Sequence, residues 1–322
     1  MFRTGVKILD ATVGIRSERE EMLPVIPPGV AVQSLLTDFR RIKQISYSAD
    51  LDGYISIEEY DNAPRCEFRQ GNMLFRGPFS RLQKETSDAR YTLWGNQGFL
   101  YRYVLYLLEK KHRILNFHAC ALYREENDTL YVVIGGAGSG KTVYLLSGLE
   151  KGLKLFSTET VHFRIDKGDI EWRMGSVVDN VRYGTLIHEF PRFLPSRVDP
   201  DLRDIWQKKI ALDLSEFCAQ KEILVNPRAV HILFPRIEMG FPKVEWNPIK
   251  DSRTAAKSLF DNITQKLAET TLLYDRITLM GLDTSDLANA RLKAVYELSN
   301  HPSVVEITTV LSDPSSCWGN IL

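Results

Sequence analysis

Residues 129–142 read TLYVVIGGAGSGKT, and this stretch decides the fold. Its first half is a short apolar run rich in β-branched residues, which predicts a buried strand. Its second half, Gly135, Gly136, Ala137, Gly138, Ser139, Gly140, Lys141 and Thr142, meets the pattern GxxxxGK[ST]. Glycines let the backbone curl until successive N–H groups face inward, the geometry that binds phosphate oxygens. The following residues, 142–150, predict a helix closed by Gly152, and such a helix aims its positive end at the same phosphates. Lys141 is expected to contact the β- and γ-phosphates and the Thr142 hydroxyl to ligate Mg²⁺.

Upstream of this stretch, residues 114–123, ILNFHACALY, predict a strand that pairs with 129–134 across the polar turn 124–128. Residues 98–113 predict a helix with Lys110, Lys111 and Arg113 in its last turn, where cations suit the negative end of the helix dipole. Earlier still, 53–57 and 71–76 alternate like short strands, and PVIPPG at 24–29 is a loop signal. Downstream, 153–157 predict a short strand. The pair 161–165 and 170–174 flank Asp166, Lys167, Gly168 and Asp169, a hairpin turn. Residues 175–226 carry no clear pattern. Residues 230–234 and 304–310 predict strands, and 254–271 and 284–300 amphipathic helices. Together these predict an α/β chain, with a mixed, mostly β module over 1–97 and a nucleotide-binding domain over 98–322.

The 322 residues are 44% hydrophobic and 25% charged, as in an ordinary globular protein. Lys+Arg and Asp+Glu both number 41, which speaks against a chain-wide attraction to nucleic acid or an anionic membrane. Cys66, Cys120, Cys218 and Cys317 are far apart in sequence, so no CxxC pair exists, and a reducing, cytoplasmic setting is expected. The N-terminus lacks the apolar run of a secretion signal. The most apolar stretch, 98–108, is interrupted by Arg102 and falls short of the roughly 20 residues that span a bilayer.

A phosphate loop alone does not specify a reaction. A carboxylate is needed to hold Mg²⁺, and a kinase also needs a base for the acceptor hydroxyl. Glu159, just past the strand 153–157, is the nearest candidate for the metal, with an ordinary surface glutamate as the alternative.

The strand with His118, Ala119, Cys120, Ala121 and Leu122, the loop itself, and 152–161, GLKLFSTETV, resemble the HPr kinase/phosphorylase family. That family includes small-molecule serine kinases and lasso-peptide precursor kinases. The likeness covers about 112–175, more loosely the remainder. It implies a fold related to phosphoenolpyruvate carboxykinase (an HPr kinase C-terminal-domain-like phosphate-loop domain), Mg-ATP on the loop, and phosphoryl transfer to a hydroxyl of a small molecule or peptide. It allows a homo-oligomer. Family members carry two adjacent aspartates where this chain has Thr158 and Glu159, the first being the usual base. Threonine cannot accept a proton near neutral pH, so Glu159 is expected to take over metal binding, base work or both. His118 then sits under the γ-phosphate or orients a carboxylate, or is a satisfied core histidine. Arg182 is placed to stabilise transferring charge, and Asp179 to act as a second base or metal ligand, with a loop salt bridge or helix cap as the alternative. The catalytic set is thus Glu159, His118, Arg182 and Asp179, and the metal set Thr142 and Glu159. The competing function is a nucleotide-binding regulatory or partner protein with weak or absent catalysis. A phosphatase or plain ATPase remains a further alternative.

Overall fold

The computed structural model describes residues 1–24, 38–136, 138–195 and 204–319. The loop signal at 25–29 and Ala137 lie outside the described residues. The chain forms two compact units, one of Met1–Leu115 with Thr264–Arg291, the other of Asn116–Ile263 with Leu292–Leu322. The expected division at 97/98 thus differs from the observed one.

The first unit opens with β1 (Phe2–Ile8) and β2 (Ala11–Ser17), followed by β3 (Ile42–Ile45), β4 (Gly53–Glu59), β5 (Arg65–Arg69) and β6 (Asn72–Gly77). Helices α1 (Phe79–Glu85) and α2 (Phe99–His112) follow. The six strands form one sheet in the order β3-β1-β2-β4-β6-β5. Alternation sends Val6, Ile8, Val13, Ile15, Ile55, Ile57, Met73 and Phe75 to one face, where all are buried. Helix α2 is buried from Phe99 through Glu109, and its apolar side chains join the core of this sheet. A fully buried leucine or phenylalanine contributes about 1.5–3 kcal/mol, so α2 belongs with the N-terminal strands. Arg113, left-handed at φ 56°, closes the helix, and Lys110, Lys111 and His112 occupy its last turn. Arg102 is buried within the unit and donates to the carbonyls of Lys266 and Glu269 and to the Glu269 carboxylate.

The second unit carries β7 (Leu115–Arg124), β8 (Thr129–Ile134), α3 (Lys141–Glu150), β9 (Lys154–Ser157), β10 (Thr160–Asp166) and β11 (Asp169–Met174). Then come β12 (Val178–Arg182), α4 (Tyr183–His188), β13 (Lys209–Asp213), β14 (Ile223–Val225), β15 (Ala229–Ile237), β16 (Glu245–Pro248) and α5 (Ser252–Ala268). Of the chain's last elements, β17 (Thr271–Leu273) and β18 (Ile277–Leu279) belong to the first unit, α5 and α6 (Ser285–Ser299) each run across a division point in the sequence, and β19 (Val304–Ser312) belongs to the second unit. Nine strands make the main sheet, in the order β14-β11-β10-β7-β8-β15-β19-β16, with β9 also paired to β7. β8 runs antiparallel to β7 and parallel to β15, and every residue of it is buried, as the apolar run requires. The β10–β11 turn uses Lys167 and Gly168, both at positive φ, as the hairpin signal predicts. The patternless stretch holds a separate two-stranded pair, β12 with β13. The architecture is mixed α/β with mostly sheet. No helix among the described residues is long and apolar enough to cross a membrane, and no disulfide joins any of the four cysteines.

Candidate functional site

The glycine-rich loop leaves the end of β8 and runs into α3. Gly138 (φ 81°) and Gly140 (φ 101°) adopt left-handed backbone that other residues enter at a cost of about 1–2 kcal/mol. Gly135 is needed for another reason: a Cβ there would overlap the Ser139 hydroxyl. A Cβ on Gly136 or Gly138 would meet nothing within 4 Å, so the loop's backbone is open to approach at both positions. The Lys141 ammonium donates to the carbonyls of Gly135 at 2.6 Å and Gly136 at 3.2 Å. The helix behind the loop is pinned through Tyr144, Leu145 and Leu146, all buried, and through Trp318, whose indole N–H donates to the Tyr144 carbonyl at 3.0 Å.

A row of polar side chains leads away from the first turn of α3. The Thr142 hydroxyl donates to Asp179 Oδ2 at 3.1 Å. Asp179, on β12, is 2% exposed and shares a hydrogen bond with Glu159. Glu159 Oε2 lies 3.3 Å from His118 Nε2. Burial, the Glu159 charge and the Glu159 hydrogen bond all push the Asp179 carboxyl well above the usual carboxylate range. Burial would raise Glu159 too, but the hydrogen bond and charge of His118, helped by the Lys141 charge and the Asp179 hydrogen bond, hold it below that range. The two carboxyls are thus pushed apart, Asp179 toward its protonated form and Glu159 toward its ionised form. Two carboxyls that share a site push one of the pair toward its protonated form.

Glu159 owes its position to its backbone. Its N–H donates to Ser176 Oγ at 2.8 Å, and its carbonyl accepts from Ala119 N at 3.1 Å. Thr158 is 2% exposed. Its hydroxyl donates to the Val178 carbonyl and also meets Ser176 Oγ, both at 2.7 Å. Thr158 is thus a buried tie between β9 and the segment entering β12. Asn262, on α5, clamps β7 at His118, accepting from its N–H at 2.9 Å and donating to its carbonyl at 3.3 Å. Neither Ser176 nor Asn262 carries a sequence signal, because each acts through a partner distant along the chain.

The structure brings together the loop, Thr142, Asp179, Glu159 and His118. It does not bring Arg182 into this row: that exposed guanidinium donates to the Trp206 carbonyl at 2.7 Å. No group of three or more His, Cys, Asp or Glu able to hold a metal occurs among the described residues. One hydroxyl with two carboxylates is instead an open, all-oxygen set. That suits Mg²⁺, which typically takes one or two protein carboxylates and completes its shell with substrate phosphates and water.

Compared with known proteins, the chain matches no protein-family model and no curated protein.

Proposed function

We propose that this chain binds Mg-ATP on the loop 135–142 and transfers the γ-phosphoryl group to a hydroxyl of a small molecule or peptide. The second unit would then have the HPr kinase-like, phosphoenolpyruvate carboxykinase-related fold. The observation that carries the reading is the unbroken row from Thr142 through Asp179 and Glu159 to His118, starting at the first turn of the helix behind the loop.

In this reading, the inward N–H groups of the loop and the Lys141 ammonium cradle the β- and γ-phosphates. The Thr142 hydroxyl and the Asp179 carboxylate, once deprotonated, would hold Mg²⁺, which would neutralise charge on the phosphate oxygens. Glu159, kept ionised by His118, accepts the proton of the acceptor hydroxyl. The hydroxyl oxygen bonds to the γ-phosphorus, and the bond to the β–γ bridging oxygen breaks with its electron pair leaving on ADP. A base typically supplies 10²- to 10⁴-fold, and positioning supplies most of the remainder.

The test is titration calorimetry with Mg-ATP, followed by intact-mass spectrometry with candidate hydroxyl acceptors. Lys141→Ala removes charge-assisted hydrogen bonds worth about 1.5–3 kcal/mol, so the affinity for Mg-ATP should fall by about 10- to 150-fold. Unchanged affinity would remove the phosphate-loop claim. Glu159→Ala should bind Mg-ATP yet form no phosphoproduct.

One observation favours a second reading. The Thr158 hydroxyl is committed to Val178 and Ser176, so this position offers no base. A nucleotide-binding regulatory protein with weak or absent catalysis would be stabilised by ATP and give no product with any acceptor.

A further inference from the structure

The first unit carries an uncompensated basic patch on one sheet face. Of the strand residues facing away from the core, Arg3 stands directly opposite Arg16, and Lys7 directly opposite Lys43. Like charges in directly opposed positions destabilise a sheet. Arg3, Lys7 and Lys43 are exposed and Arg16 is half-buried. Arg16 Nε donates to Ser56 Oγ at 2.7 Å, and the Arg3 guanidinium lies over the Tyr47 ring at 5.3 Å. No ion pair joins any of the four to a carboxylate among the described residues. Nearby acids are engaged elsewhere: Asp52 by Thr12 and His112, Glu58 by Arg76, and Glu18 by the Glu59 N–H.

Protection of an exposed sheet edge explains one of these residues. Lysine on an edge strand deters edge-to-edge pairing, and β3, which carries Lys43, ends the sheet. Arg3, Lys7 and Arg16 lie on β1 and β2, inside the sheet, where no edge needs guarding.

We propose that the outer face of β3-β1-β2 is a docking surface for an acidic peptide segment. With strands about 4.8 Å apart and residues about 3.3 Å apart along a strand, the four cations span about 10 by 13 Å. That patch matches a few carboxylates of one extended peptide. A DNA duplex site typically engages about 6–10 phosphates. The aromatic rings on this face are not free platforms for bases: Tyr54 packs over Gly14, and Tyr47 packs against Tyr54 beneath Arg3. The neighbouring exposed apolar side chain, Phe2, alternates to the opposite face, and Ile45, half-buried over Gly5, is not presented to solvent, so among the described residues this face offers no exposed apolar anchor for a lipid surface. Charge complementarity with a carboxylate-bearing peptide thus accounts for all four residues. The surface lies in the first unit and does not depend on nucleotide binding.

The test is fluorescence anisotropy of the full chain with a labelled short peptide of alternating glutamate and serine. The peptide should bind at low ionic strength, and its glutamine–serine counterpart should not. Lys7→Glu with Lys43→Glu should weaken binding by about tenfold or more, and Lys7→Arg should retain it. Lys7→Glu alone should raise the urea midpoint, because it turns a like pair into an opposite one. Lys141→Ala should bind the peptide as the wild type does, which separates this surface from the phosphate loop. Arg3→Gln with Arg16→Gln provides a second, milder loss of binding if the reversed variant fails to fold. Equal binding of both peptides, or binding untouched by charge reversal, would overturn the proposal. So would an inert peptide alongside a single-stranded oligonucleotide or a phosphatidylserine vesicle that binds through these residues.

Discussion

Gly140→Ala tests the conformation on which the loop depends. Two costs add at this position. At φ 101° an alanine is forced into left-handed backbone, worth about 1–2 kcal/mol. Its Cβ would also overlap Ile237 Cγ1 and press on Ile237 Cβ and Cδ1 at 3.4 Å each. Overpacking of this kind costs about 1–3 kcal/mol. The sum is about 2–5 kcal/mol, a large share of a typical domain's stability. Urea unfolding followed by tryptophan fluorescence measures it, with an unchanged m-value showing that the cooperative unit is intact. The two costs separate in a double-mutant cycle with Ile237→Ala. The overlap disappears with the isoleucine and the backbone cost stays, so the coupling should be about 1–3 kcal/mol. Gly136→Ala is the control: its φ is not positive and nothing lies within 4 Å of the added Cβ, so its stability should stay within about 0.5 kcal/mol of wild type. A Gly140→Ala protein as stable as wild type, or a cycle without coupling, would show that Gly140 is not held in this geometry.

Three further predictions concern the same unit. Burial, with a smaller contribution from the Arg173 charge, drives the His162 imidazole down to about 3. Below its ordinary value near 6.5 the unfolded chain takes up a proton that the folded chain refuses, so stability is full above about pH 6.5 and falls by about 1.4 kcal/mol per pH unit from there toward 3. His162→Gln should remove one proton from that slope in urea titrations at pH 5 and 6; an unchanged slope would refute the assignment. Thr158→Val strips a buried donor from the Val178 carbonyl and should cost about 1–3 kcal/mol in urea unfolding; a neutral result would show that this tie is not formed. Asn262→Ala removes the side chain that bonds both backbone groups of His118, so hydrogen exchange at the His118 amide should accelerate by about tenfold or more, and an unchanged rate would refute the clamp.

Local pattern alone determined much of this protein. The apolar run 129–134, the glycines after it and the helix closing at Gly152 are written within two dozen residues, because strand burial, left-handed turns and helix termination are each short-range effects. The β10–β11 turn follows in the same way from Lys167 and Gly168. Tertiary structure decided what depends on distant partners. Helix α2 reads as a buried amphipathic helix that opens the nucleotide-binding domain, and only packing assigns it to the N-terminal sheet. β12 and β13 are short and polar, so their pairing was illegible in residues 175–226. Asp179 reads from sequence as a second base or metal ligand, or else as a loop salt bridge or helix cap, and only that pairing sets it against a hydroxyl 37 residues earlier in the chain. Arg182, three residues further on, faces Trp206 instead. The opposed cations of β1, β2 and β3 appear only once strand register is known, because register, not sequence spacing, decides which charges meet.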